Sequence, residues 1–507
     1  MRYNKIPANK LKNMNKHNER KDRLRRLEKI RKNGINPYAD KFDRTHSCIE
    51  AKSLELGTEV KVAGRVVLIR KMGKIVFAHI QDYSGRIQIV LKIDEIEEPA
   101  FRFFADVIDL GDFVGLEGKI FTTQKGEISV MVRKYVFLSK ALRPLPEKWS
   151  GVQDLEVKYR KRYLDLISNE ETMKRFKFRS DFIWELRKFY YENGFQEIDT
   201  PVLCNTASGA LAKPFKTHYN SLDMDVYLRI APEIFLKQAI IGGYEKVFEV
   251  ARCFRNEGMD SSHLQEFTMV EHYCAYWDFR DNMYFTEKIL TTVIRKLMGT
   301  LEIDILNREG KLVKINFADS WERISFRDLL MKDCGIDIDL FPETEDLRKE
   351  ITKKGVRIKD IQTLGRGNLI DALYKEVSRR KLIGPIFLIN HPIDVSPLAR
   401  KNDSNPMVTD RFQLIVNGWE IVNAYSELTD PIEQNKRFEK QMAARRSGDE
   451  EAMLKDDEYV KAMEYGMPPA SGWGMGIERI VALLTQQSNL RDVVLFPLLK
   501  PAGRKLN

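Results

Sequence analysis

The chain is poor in the residues that would tie it to an oxidising compartment. Its five cysteines, Cys48, Cys204, Cys253, Cys274 and Cys334, lie far apart and form no C-x-x-C pair, which argues against a disulfide framework and against a zinc site. No uninterrupted apolar run reaches the roughly 18 residues of a membrane span, and the N-terminus lacks the apolar centre of a signal peptide. Neither export nor membrane insertion is expected, and a reduced, cytoplasmic protein is. Internal repeats and low-complexity tracts are absent too, and the final PAGRKLN looks like a short tail.

What is present suits a large globular enzyme. A hydrophobic content of 43% and an aromatic content of 10% can build real cores. At 507 residues the chain exceeds the roughly 250–300 at which a single core stops growing, so two or more domains are expected. The net charge of +10 is unevenly placed. Residues 1–58 form a basic extension that suits a polyanion partner or, equally, a solvated helix face. Its first part reads as a disordered arm; Leu24, Leu27 and Ile30 then recur at helical spacing up to the stop signal Asn33-Gly34.

From residue 59 to 145 the pattern changes to short alternating strands with a turn at Asp82-Tyr83-Ser84-Gly85, the texture of an OB-fold barrel. Period-2 counting puts Val76, Ala78 and Ile80 on one face and Phe77, His79 and Gln81 on the other. Phe77 thus falls on a polar face, where an aromatic ring can stack on an unpaired base; a shifted register would make it core. Residues 143 to about 175 read as a Pro-rich linker running into a charged helix. A long helix closed by Asn193-Gly194 follows, then a strand, GFQEIDTPVL, ended by Pro201 and suited to a sheet margin or a subunit contact.

Within YEKVFEVARCFRNEGMDSSHLQEFTMVEHYCAY, Val247–Val250 and Phe267–Val270 read as strands on either side of a charged loop. Arg255 can bind a phosphate or carboxylate through two donors, Glu257 can accept from an exocyclic amine, and Phe267 can lie flat on a base. Gly474 and Gly476 permit close backbone approach, and Arg479 begins an apolar helical run.

GFQEIDTP, FRNEG with HLQEF, and GMGIERI occur in that order, accompanied by RYLDLIS, RIAPEIFLK, SPLAR and NAYSEL. Over nearly its whole length the chain resembles the class II aminoacyl-tRNA synthetases, and most closely the bacterial-type lysyl-tRNA synthetases. The resemblance implies an α+β fold: an N-terminal OB-fold β-barrel that binds an anticodon, then an antiparallel sheet flanked by helices over 146–507, with a helical insertion near 298–385. It implies a homodimer that binds ATP, L-lysine, Mg²⁺ and a tRNA with a uridine-rich anticodon, with no DNA or membrane partner. Arg255 and Arg479 would act on the reacting phosphate. Arg255, Glu257, His263, Phe267, Glu420 and Arg479 would hold ATP. Gly209, Glu233, Glu271, Tyr273, Asn423, Tyr425 and Glu427 would hold lysine, with Glu233 on the α-ammonium and Glu427 and Tyr273 on the ε-ammonium. Phe77, Gln88 and Glu127 would read the anticodon.

A buried ammonium needs an anionic partner, and Glu233 and Glu427 both fall in apolar runs. Taken singly, either acid would be read as a buried salt bridge to an internal Lys or Arg; the paired motifs favour the ligand. Three features depart from the related pattern. Leu264-Gln265 replaces Asn-Pro, Ser262 stands where many relatives place an arginine, and Gln413 replaces the glutamate that would share a metal with Glu420. An aspartyl or asparaginyl enzyme would need a cation in place of the acid pair. A protein-modifying paralogue would lack the barrel, and a non-catalytic relative would not keep Arg255, Glu257, Phe267 and Arg479.

Overall fold

Strand alternation and capping signals set the elements of the computed structural model, which describes residues 8–146, 152–206, 209–210, 212–307, 309–446 and 453–501. Two units separate at Asn169/Glu170.

In the first unit a helix α1 (Ala8–Lys32) and a short helix α2 (Cys48–Lys52) precede a closed five-stranded barrel. The barrel has the order β1-β2-β3-β5-β4, with β1 (Glu59–Met72), β2 (Ile75–Gln81), β3 (Arg86–Lys92), β4 (Phe113–Thr122) and β5 (Ile128–Ser139). Helix α3 (Glu98–Val107) lies between β3 and β4, and two short helices, α4 (Leu155–Arg160) and α5 (Arg162–Ser168), end the unit. The expected turn between β2 and β3 is held by Asp82, whose Oδ1 accepts from the Ser84 and Gly85 N–H groups. Val76, Ala78 and Ile80 enter the barrel core while Phe77 and His79 stay half-buried on the outer face, so the alternation reading holds.

The arm expected to be disordered is helical from Ala8 onward. Its apolar stripe is anchored, with Leu27 and Ile30 buried, and Arg23 donates to the carbonyls of Leu110 and Ala141 at 2.8 and 3.2 Å. Residues 1–7, 147–151 of the linker and 502–507 of the tail lie outside the described residues.

The second unit begins with the long helix α6 (Glu170–Glu192), closed by Gly194 at φ 80°. The strand expected up to Pro201 is shorter. Only β6 (Gln196–Glu197) pairs, at the sheet edge, before the chain leaves for the small sheet of β7 (Leu203–Cys204), β8 (Lys216–Tyr219) and β9 (Met224–Leu228). Helix α7 (Glu233–Ile241) leads to β10 (Lys246–Phe254) and β11 (Glu266–Ala275), antiparallel and longer than the sequence suggested.

Helix α8 (Phe279–Met298) follows, opened by an Asp278 capping box and closed by Gly299 at φ 70°. The stretch expected to be a helical insertion starts instead with a hairpin, β12 (Glu302–Leu306) and β13 (Leu312–Asn316), and an edge strand, β14 (Glu322–Ser325); only then come α9 (Phe326–Cys334), α10 (Thr344–Lys353) and α11 (Arg366–Val377). Glu302, Asp304 and Leu306 alternate outward against buried Ile303 and Ile305, a half-buried ribbon that a helical reading passes over. The chain ends through β15 (Ile386–Ile389), β16 (Arg411–Val416), β17 (Trp419–Ser426), α12 (Pro431–Arg446), α13 (Asp457–Glu464), β18 (Ala470–Gly476) and α14 (Ile477–Leu484).

Eight strands form one sheet in the order β14-β15-β16-β17-β18-β11-β10-β6, antiparallel except at its two outer pairs. Apolar side chains from α6, α8 and α14 bury its core against Phe248, Val270 and Trp473. No helix among the described residues is long and apolar enough to cross a membrane.

Candidate active site

Three adjacent strands build the cleft. In register across β11, β18 and β17, Glu271 faces Gly474 and then Asn423, Tyr273 faces Gly472 and then Tyr425, and Met269 faces Gly476. Side chains alternate across a strand, so Glu271 and Tyr273 point to the cleft while His272 points to the opposite core. There it is hydrogen-bonded by Tyr190 and Asn282 at 2.9 and 2.8 Å, and burial pushes its pKa down to about 3. Glycine at every second position of β18 leaves a trough between the two outer columns. The sequence reading credited Gly474 and Gly476, but the tightest position is Gly472. A Cβ there would meet Tyr273 Cε1 at 2.3 Å and Glu427 Oε1 at 2.4 Å, whereas one at Gly474 finds Glu271 Cγ at 3.5 Å.

The trough encloses about 170 Å³ and is lined by Gly209, Glu233, Glu271, Tyr273, Asn423 and Tyr425, expected to hold lysine, and by Arg255, Glu257, His263, Phe267, Glu420 and Arg479, expected to hold ATP. Of the residues expected to hold ATP and lysine, Glu427 alone is behind this wall, 1% exposed.

An internal cation meets the acids, which the sequence reading had set aside. Lys237 Nζ, fully buried one turn along α7 from Glu233, lies 2.5 Å from Glu233 Oε1 and 2.6 Å from Glu427 Oε2. The Glu233–Lys237 spacing of four on one helix was the readable signal. Tyr425 donates to Glu233 Oε1 at 2.6 Å. Glu271 is met instead by the Tyr273 hydroxyl, which donates to it at 3.3 Å. Burial, joined by the nearby charge of Glu233, raises its pKa well above the usual range. Burial pushes the Glu427 carboxyl up to about 8, with Lys237 opposing and Glu233 reinforcing the shift. Three carboxylates therefore share this end with one lysine in contact.

The charged loop leaves β10 and returns to β11, pinned by Arg255 N–H donating to Gln265 O at 2.9 Å. The Arg255 guanidinium lies 5.1 Å over the Phe267 ring. His263 is bonded to Asp260 at 2.9 Å; this bond and the Ser262 N–H outweigh partial burial and hold Asp260 down at about 2. Arg479 donates to Glu420 O at 3.0 Å. Its neighbour Glu478 ties α14 to β11, accepting from Thr268 N–H at 2.9 Å and Arg179 at 2.7 Å.

Glu420 is the single carboxylate of the two expected metal positions. Burial would raise its pKa, but Arg479, Arg379, Arg411 and Lys375 hold it low. Gln413 sits beside the buried imidazole of His391. A hard dication seeks several anionic oxygens, and one carboxylate among four cations does not fit a protein-held Mg²⁺. No group of three His, Cys, Asp or Glu suited to a metal occurs among the described residues.

On the barrel, Gln88 and Glu127 come together beside His79. Gln88 Nε2 donates to Glu127 Oε2 at 2.5 Å, and His79 Nε2 lies 2.8 Å from Glu127 Oε1. Phe77 is two residues along on the same face.

Comparison with known proteins decides the family. Residues 154–500 match the model for class II tRNA synthetases (D, K and N), and residues 60–138 match the OB-fold nucleic acid binding domain. The chain belongs to the class II tRNA synthetases. It is 46% identical to the lysine–tRNA ligase of Carboxydothermus hydrogenoformans over 95% of this chain and 98% of that one. It is 44% identical to that of Fervidobacterium nodosum over 96% and 94%, and 42% identical to that of Bacillus cytotoxicus over 96% and 99%.

Proposed function

We propose that the protein is a lysine–tRNA ligase, and the observation that carries the reading is the three buried carboxylates facing one internal lysine. Once ionised, Glu233, Glu271 and Glu427 less Lys237 leave two negative charges, the complement of the two ammonium groups of lysine; Arg255 serves the substrate carboxylate. An aspartate or asparagine side chain would leave these acids unpaired, at a cost of several kcal/mol. Glu233 takes the α-ammonium, while the ε-ammonium goes to the closed end beside Tyr273 and Glu271, with Glu427 behind them; Gly472, lacking a side chain, leaves room for Tyr273 and Glu427 themselves. Asn423, Tyr425 and Gly209 shape the wall.

Lysine carboxylate oxygen attacks the α-phosphorus of ATP in line; the bond to the bridging oxygen breaks and pyrophosphate leaves, giving lysyl-adenylate. The 3′-hydroxyl of the terminal tRNA adenosine then takes the lysyl group and AMP departs. Positioning and charge neutralisation by Arg255 and Arg479 supply the catalysis, with adenine against Phe267 and its amine at Glu257, and no side-chain base is required. His263 borders the phosphates. Mg²⁺, which the family resemblance implies, would come with the ATP phosphates and meet Glu420 alone.

Phe77, Gln88 and Glu127 read the anticodon. We infer a cytoplasmic homodimer; exposed Trp184 and Phe496, lining one surface hollow with Ile183 and Leu495, support a subunit contact. We keep the division into a basic extension, a barrel and a catalytic region at 1–58, 59–145 and 146–507. Lysine-dependent ATP–pyrophosphate exchange by the purified protein tests the function. Exchange with lysine and none with aspartate or asparagine is expected; exchange driven by either of the latter would overturn it.

A further inference from the structure

The segment between the second and third motifs offered no chemistry in the sequence, yet the end of α11 and the turn after it bring two cations to the nucleotide end of the cleft. Lys375 lies in the last turn of α11, and Arg379 lies just beyond its end, after the C-cap residue Ser378. Both line a groove of about 420 Å³ with Arg357, Arg380, His263 and Arg479, in which Glu376 is the one acid among the described residues. Ser262, His263 and Arg479 line both this groove and the substrate trough, so the two spaces share a wall. The same lysine and arginine also border a space shared with Glu420, Gln413 and Arg255. Arg379 is anchored by Nε donating to Gly418 O at 3.1 Å. Lys375 lies 2.6 Å from Asp371, an exposed pair on one helix that holds it loosely.

We propose that Lys375 and Arg379 bind the β- and γ-phosphates of ATP and the pyrophosphate released from them. The proposal rests on the ligase reading and extends it to residues outside the three motifs. Ser262 and Gln413 are the two positions where charge is missing against the family pattern, one a cation and the other an anion, and both open onto spaces lined by these two side chains. When the bond between the α-phosphorus and the bridging oxygen breaks, the electron pair leaves on pyrophosphate. Negative charge then grows where Lys375 and Arg379 stand, while a lone Glu420 offers little to anchor a counter-ion there.

The test is calorimetric binding of pyrophosphate and, separately, of AMP to the full-length protein and to Lys375→Gln and Arg379→Gln, together with exchange kinetics. Each substitution is expected to weaken pyrophosphate binding about tenfold, as removing one charge-assisted hydrogen bond does. AMP affinity and lysine KM should stay within about twofold, and half-maximal Mg²⁺ for exchange should rise. Unchanged pyrophosphate affinity in both variants overturns the proposal; if tRNA KM rises instead, the groove is a tRNA surface. Lys375 is exposed, so its variant keeps the question decidable should Arg379→Gln fail to fold. Calorimetry needs no amino acid, so failure of the lysine reading would show in the exchange assay and leave this one scorable.

Discussion

The barrel and the eight-stranded sheet each bury one lysine between two carboxylates, and the two triads end differently. In the barrel, Lys140 Nζ lies 2.5 Å from Asp109 and 2.7 Å from Asp112 and donates to Val107 O at 2.9 Å. Asp112 also accepts from the N–H groups of Asp109 and Ala141, both at 2.8 Å. That triad is closed by backbone donors. In the sheet, Lys237 holds Glu233 and Glu427 in the same way, but Glu271 adds a third acid and the trough adjoins it. The same device is structural where the backbone completes it and receptive where charge is left over.

The comparison can be broken most severely at Lys140. Lys140→Met should cost about 3–5 kcal/mol in denaturant unfolding, because Asp112 stays buried without its cation. Glu271→Gln should do the opposite. Lysine kcat/KM should fall by one to three orders of magnitude, from about 2–5 kcal/mol for a broken buried contact, while the melting temperature should not fall, since the acid removed is held by a hydroxyl rather than by a cation. A destabilised Glu271→Gln protein with normal lysine kinetics would erase the distinction between the two triads.

On the barrel's outer face Phe77→Ala should raise tRNA KM by the worth of one stacked base, about 1–3 kcal/mol. Its exchange activity should be untouched, and a large loss of stability would place the ring in the core.

Protons sharpen the difference. With its pKa pushed up to about 8, the Glu427 carboxyl is largely protonated at neutral pH and must lose its proton to receive an ammonium. Lysine KM should therefore fall about tenfold between pH 7 and pH 9, with proton release measurable by calorimetry in buffers of different ionisation enthalpy. The folded state binds this proton more tightly than the unfolded one. The group's stabilisation is thus complete below its ordinary value of 4.5 and is lost as pH rises through about 8. A flat lysine KM across that window would refute the assignment.

The smallest effect is expected on α1. There Arg23, Arg26 and Lys29 are already engaged with barrel groups, leaving Arg20, Lys21 and Arg31 exposed. Substituting glutamine for these three should lower the salt slope of tRNA binding by roughly 0.7–0.9 for each phosphate that is no longer neutralised. An unchanged slope in a titration would make the helix a solvated face.

Much of the architecture was legible because short-range rules govern it. Alternation gave Val76, Ala78 and Ile80 to the barrel core, and the residues picked from the motifs, Glu427 apart, line one cleft. The readings that failed did so where tertiary partners decide. The arm is helical from Ala8 because the barrel covers Leu27 and Ile30. GFQEIDTP pairs for two residues only, at the edge of the sheet. The stretch after α8 opens as a ribbon although its later part is helical.

By itself the sequence determined which side chains could share a face: Glu271 with Tyr273, glycines at alternate positions of β18, and Lys237 one turn from Glu233. Only the tertiary structure decided that Glu427 reaches that same lysine, that Gly472 sits between Tyr273 and Glu427, and that Lys375 and Arg379 line one space with Glu420. Spacing along the chain fixes direction within one strand or helix. The partner of a buried charge is chosen by the order in which distant strands and helices pack, since an acid out of water must find its cation wherever the fold supplies one.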